Sequence, residues 1–141
     1  MSKAIGFSEA TYLALHAMAL IAGGDGASFS IRAMAERLGV SEAHLAKVVL
    51  RLAHSGLVKT TRGPKGGVTL AKKAEDTTYL EIFEAIEGKL RPSGCVFGRE
   101  ECPLRGCVFR GFLTKLASDT EAWLKTNTLA DFSAAIKTGG K

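Results

Sequence analysis

The sequence predicts a mainly α-helical chain with one small β-hairpin and a long helix near its end. Three observations predict it. Apolar residues recur at helical spacing along most of the chain, Ser or Gly punctuates the helical runs, and the one β-branched stretch folds around a Gly/Pro-rich tip. With 141 residues, the chain can bury a core without disulfides or metal, and its length suits one domain with an appended helix.

Ser8 can cap a first helix running to about Ala22, where Gly23 and Gly24 stop it. Its apolar stretch reads as a buried helix rather than a secretion signal. Only Lys3 precedes it, His16 interrupts it, and "GGDG" follows where small cleavage-site residues would stand. It is too short to span a bilayer, so a cytoplasmic chain with no membrane partner is expected. Ser30 caps a second helix, "IRAMAERL", with Ile31, Met34, Ala35 and Leu38 on one apolar face. Ser41 caps a third, "EAHLAKVVLRLAHS", where Leu45, Val48, Val49 and Leu52 repeat that spacing and Gly56 ends the run.

In "LVKTTRGPKGGVTLA", Val58, Thr60, Thr61, Val68 and Thr69 flank "RGPKGG", which predicts a hairpin with a long tip. "LEIFEAIEG" (Leu80 to Gly88) is a short helix. The loop after it holds all three cysteines, with Gly94, Gly98, Pro103 and Gly106. From Phe109 a helical seam begins: Phe109, Leu113, Leu116, Thr120, Trp123 and Asn127 alternate steps of four and three, diluted by Thr120 and Asn127. A second copy of the chain is the expected partner for that seam, and "TGGK" is a tail. The expected division is a winged helix-turn-helix domain over 1–90, a cysteine loop over 91–108, and a dimerisation helix with its tail over 109–141.

Charge singles out the first half. Residues 1–73 carry ten Lys and Arg against four Asp and Glu, whereas residues 74–141 carry nine against ten. A basic half beside a near-neutral half points to a polyanion, although a solvated basic surface has the same signature. Two short amphipathic helices, a tight turn and a hairpin make a winged helix-turn-helix, whose second helix presents its outer side to the DNA major groove. On the third helix of this chain, Ala43, His44, Lys47, Arg51 and His54 point away from the apolar face. Ser41, His44, Lys47 and Arg51 are therefore candidate DNA contacts. At the slim hairpin tip, Arg62 and Lys65 can approach the backbone, and an Arg there can enter a minor groove. Leu50 also points outward, and this reading gives it no role.

From "IRAMAERLGVSEAHLAKVVLRLAHSGLVKTTRGPKGGVTLA" through "LEIFEAIEG", the clustered cysteines and "TLADF", the chain resembles the Rrf-type family of bacterial winged-helix regulators. Iron–sulfur-assembly and nitric-oxide-sensing regulators belong to that family. The resemblance implies a homodimer on double-stranded promoter DNA, with long C-terminal helices crossing at an interface that here would use Phe109, Leu113, Leu116 and Trp123. It also implies that Arg62 reaches the minor groove.

Cys95, Cys102 and Cys107 are spaced C-x6-C-x4-C. Thiolates bind iron–sulfur clusters, zinc or copper(I), but zinc knuckles favour a close C-x2-C pair that is absent here. Arg99, Arg105 and Arg110 bring positive charge to the thiols, and Glu100 and Glu101 oppose it locally. The resemblance implies a 2Fe-2S or 4Fe-4S cluster that senses redox state, iron or nitric oxide. In the family a fourth ligand is a His three residues after the last Cys, or an acidic residue on the first helix. Arg110 stands at the former position here and Tyr12 at the latter. Glu9, Tyr12 and His16 share one stripe of that helix, with His16 the preferred candidate; water, a small thiol or Glu100 remain alternatives. Other readings are a thiol-based or cofactor-free winged-helix regulator and an iron–sulfur electron-transfer or carrier protein. No enzyme is expected: there is no Ser/His/Asp set, and "GPKGG" lacks the spacing and Ser/Thr of a phosphate loop.

Overall fold

The computed structural model describes residues 6–90, 95, 97 and 99–138, with side chains to residue 134. Lys3, Gly94, Gly98, residue 91 at the start of the expected cysteine loop and residues 139–141 of the tail lie outside the described residues. The elements run α1 (Glu9–Ala22), α2 (Ile31–Leu38), α3 (Glu42–His54), β1 (Val58–Thr61), β2 (Gly67–Leu70), a 3₁₀ turn (Ala74–Asp76), α4 (Tyr79–Glu87), α5 (Phe112–Thr126) and α6 (Leu129–Thr138).

The helices start where a side chain satisfies an orphaned backbone N–H. Ser8, Ser30 and Ser41 accept from the N–H of Thr11, Ala33 and His44 respectively, each cap contributing about 1 kcal/mol. Thr78 opens α4 with a capping box closed by Glu81. Gly39 ends α2 at φ 67°, a left-handed position that glycine adopts without a Cβ penalty.

The apolar richness of α1 follows from its central place. Leu13, Ala14, Ala17, Met18 and Ile21 share one core with Met34 and Ala35 of α2 and with Leu45, Val48, Val49 and Leu52 of α3. Ile82 and Ile86 of α4 and Leu129 of α6 complete it.

β1 and β2 pair antiparallel from Val58–Leu70 to Thr61–Gly67, and buried Val58 and Val68 pin the hairpin to the core. Phe29, just before α2, supplies a third rung: its N–H donates to the Val68 carbonyl at 3.1 Å, and its own carbonyl accepts from Val68 at 2.8 Å. At the tip, a Cβ on Gly66 would run into the Thr61 carbonyl, so the turn needs glycine there. β2 is thus held on both its edges, by β1 and by Phe29, while Arg62 to Lys65 project.

The C-terminal region departs from a single long helix. The helix expected from Phe109 begins at Phe112 and stops at Thr126, and α6 follows. Asn127 is extended, and its side-chain amide donates to the Trp123 carbonyl at 2.8 Å. The Tyr79 N–H donates to the Asn127 carbonyl and the Leu129 N–H to the Thr77 carbonyl, both at 3.0 Å. This pairing across the start of α4 interrupts the helix and returns α6 onto α1 and the 3₁₀ turn. The seam is divided as well. Leu113 is buried with Ala117 and Leu124 on the side of α5 that packs on α4, whereas Phe109, Phe112, Leu116 and Trp123 are exposed.

Candidate functional site

Core packing fixes which side of α3 faces out. Ala43, Lys47, Leu50 and His54 are exposed on that side, and Ser41 stands exposed at its N-terminus. Two residues expected on the DNA face are engaged elsewhere. His44 is half-buried, with its Nδ1 3.9 Å from a carboxylate oxygen of Glu9 on α1. The Arg51 guanidinium donates to the carbonyl of Ile86 in the last turn of α4. At 100° per residue these two positions share one flank of α3, the flank nearest α1 and α4, although Arg51 itself stays exposed.

The other flank faces the wing. Ala46, Val49 and Leu50 line a cleft of about 480 Å³ whose opposite wall is Thr60 to Gly63 and Gly66 to Val68, with Ser30, Ile31, Arg32 and Glu42 at one end. Arg62 and Lys65 are exposed at the wing tip. Leu50, 56% exposed, finds its place here as a wall of the cleft. Sequence reading also missed Arg32, which pairs at the surface with Glu36 at 3.1 Å. Its position in the first turn after the Ser30 cap was the available signal.

Among the described residues from 95 to 111 the chain forms only turns. The Arg105 N–H donates to the Cys102 carbonyl at 3.1 Å, and the Arg110 N–H to the Cys107 carbonyl at 3.0 Å. Both arginines have positive φ, 56° and 47°. Cys102 and Cys107 therefore open two like turns, and the sequence repeats to match: "CPLRG" then "CVFRG". That tandem C-x-x-R-G was legible in the sequence.

Cys95 and Cys102 line one cavity of about 200 Å³ with Phe97, Arg99, Pro103 and Leu104, and Cys107 lies outside its lining. No disulfide joins the three. In kind the donor set suits an iron–sulfur cluster: thiols in an irregular loop, an adjoining guanidinium, and apolar neighbours. Among the described residues, however, no three His, Cys, Asp or Glu side chains converge on a metal-sized site. Glu9, Tyr12 and His16 are all exposed on α1, as their spacing requires. The His16 Nδ1 lies 2.7 Å from the Tyr12 carbonyl. His16 lines a different cavity, of about 370 Å³, with Tyr79, Trp123 and Asp131. There, burial and then the Asp131 carboxylate raise the Tyr79 phenol above its ordinary 10.0. Cys95 and Cys102 thus line one cavity and His16 another.

Comparison with known proteins places this architecture. The family model described as Rrf2, iron-dependent transcriptional regulator, matches residues 7–135. The HTH-type transcriptional repressor NsrR of Streptomyces coelicolor is 32% identical over 130 residues, covering 92% of this chain and 86% of that protein. Among solved structures, CymR, the global cysteine regulator of B. subtilis, superposes with a TM-score of 0.78 at 26% identity, over 92% of this chain and 97% of that one. IscR of T. potens superposes with a TM-score of 0.69 at 29% identity, over 90% and 85%.

Proposed function

The chain belongs to the Rrf2 family of transcriptional regulators, and on that premise we propose a homodimer that binds double-stranded promoter DNA and carries an iron–sulfur cluster, 2Fe-2S or 4Fe-4S, on Cys95, Cys102 and Cys107. It is a regulator and not an enzyme. Lys47 of α3 and Ser41 at its N-terminus meet the major groove, and Arg62 with Lys65 meets the neighbouring backbone and minor groove. The exposed residues Phe109, Phe112, Leu116 and Trp123 form the contact with the second copy. Its site of action is the cytoplasm, beside the chromosome; among the described residues no helix is long and apolar enough to cross a membrane.

One observation carries the sensing part of this reading: the last turn of α4 holds the DNA-binding elements just before the chain enters the cysteine loop. Ile86 accepts the Arg51 guanidinium of α3. A carboxylate oxygen of Glu87 accepts from the Ser8 N–H at 2.9 Å and the Thr11 hydroxyl at 2.6 Å, at the start of α1. The Leu90 N–H donates to Glu84 at 3.0 Å. A change in how the loop packs therefore bears on α3 through α4 and on the dimer contact through α5. Such a change would couple the sensor to the DNA face. When bound, a cluster would supply one-electron redox and nitric-oxide chemistry. In the partner protomer, Glu9, Tyr12 or His16 is the candidate source of a fourth ligand.

A thiol switch is the second reading, favoured by the shared cavity of Cys95 and Cys102 and by the likeness to the B. subtilis cysteine regulator. Intact-mass analysis separates the two, since in protein lacking iron a metal-free switch treated with oxidised glutathione gives up two electrons and two protons to form a Cys95–Cys102 disulfide, which dithiothreitol reduces again. The DNA reading is tested by salt-dependent binding of the full chain to its own promoter fragment. Specific binding with a steep salt slope is expected. Binding to acidic proteins with no preference for any duplex would support an electron-carrier reading instead.

A further inference from the structure

We propose that Leu50 reads the 5-methyl group of a thymine in the major groove and so sets the A·T preference of each half-site. This inference rests on the DNA-binding reading above. Leu50 is 56% exposed on the outer side of α3, one turn beyond Lys47 and Ala46. It lines the cleft facing the wing, and neither the core nor the exposed stripe of α5 uses it. A single exposed Leu is ordinary on a protein surface; what marks this one is its place on the outer side of α3, in the cleft beside the wing, where apolar contact with a base could cover it.

The chemistry of the rest of the face says what that cover is. Side-chain amides read adenine by a bidentate contact to its N6 and N7. This chain contains no Gln, and its single Asn is Asn127, at the junction of α5 and α6. An amide-to-adenine contact is therefore not available to α3 or to the wing. The major groove of an A·T pair also carries the thymine methyl, which an apolar contact reads. On the exposed side of α3, Leu50 is the residue with the reach to make it; Ala43 is shorter, and Lys47 and His54 are polar. Lys47 beside it suits a guanine edge or a phosphate, so the face combines one cationic and one apolar reader.

The test uses the full chain. A randomised duplex library is enriched against it, and each thymine of the enriched sequence is then replaced by deoxyuridine, which removes only the methyl. At one thymine per half-site the replacement is expected to weaken binding about fourfold, the worth of one buried methyl-sized group. Leu50→Ala is expected to bind both duplexes alike, and Leu50→Met, which keeps an apolar contact, to retain the penalty. Leu50 lies outside the core, so both variants should fold. An enriched sequence in which every thymine tolerates the replacement overturns this inference alone. So does a Leu50→Ala protein that is weaker on both duplexes with the penalty intact, the result expected if Leu50 merely packs on deoxyribose. A library that enriches no sequence overturns the DNA reading and this inference with it.

Discussion

Lys47 on the outer side of α3 and Arg62 at the wing tip are each expected to neutralise a phosphate. Replacing either with Ala should weaken promoter binding and lower the slope of log affinity against log salt by about 1. Arg51 should behave differently, because it holds the last turn of α4. Arg51→Ala is expected to cost about 1 kcal/mol of stability, read by denaturant titration, while the salt slope stays near the wild-type value. The helical wheel correctly separated the buried side of α3 from the outer side. It could not show that His44 and Arg51 reach groups on α1 and α4, because those contacts join residues far apart in sequence. Leu50 was visible for the same reason in reverse: its outward direction is local, but the wing that gives it a neighbour is not.

At the scale of elements, the start of α4 joins the hairpin half to the C-terminal half. Burial would raise the Glu81 carboxyl, but the Lys72 ammonium and the Thr78 N–H and hydroxyl outweigh it and hold the group below its ordinary 4.5. A carboxyl lowered on folding stabilises the fold above its unfolded value, and that contribution is lost as pH falls through the lowered one. Wild type should therefore be more stable than Glu81→Gln at neutral pH, and the gap should close well below pH 4.5, as read from denaturant midpoints. The two sides of α5 make a second contrast. Leu113, 8% exposed, packs inward, so Leu113→Ala should destabilise the protomer by about 2 kcal/mol or more. Trp123, 52% exposed, should instead matter to assembly: Trp123→Asp is expected to raise the dimer dissociation constant about thirtyfold or more, as measured by analytical ultracentrifugation. A heptad-like seam in sequence marks an apolar helix without saying how its faces are shared. Here Leu113 packs inward against α4 and Leu116 stays exposed. Asn127, compatible with the seam, instead closes the helix through its own side chain and backbone.

Across the whole molecule, what was legible in the sequence is what local chemistry decides. The serine caps, the helix-ending glycines Gly23 and Gly56 and the Gly/Pro tip placed α1, α2, α3 and the wing, because each acts within a few residues of itself. The junction of α5 and α6 was not legible, since it depends on Thr77 to Tyr79 meeting Asn127 to Leu129, about fifty residues away along the chain. The cysteine loop falls between these cases. Its three thiols and its turns are local, and the tandem C-x-x-R-G turns were there to read. Whether the thiols gather around iron is a matter of binding, for which Cys95 and Cys102 in one cavity provide a starting arrangement. The most direct test is the visible spectrum of the full-length protein purified without oxygen, with iron and acid-labile sulfide measured on the same sample. The account predicts a coloured protein containing both, and a colourless Cys102→Ala variant. A colourless wild-type protein with reduced thiols and neither iron nor sulfide would contradict it.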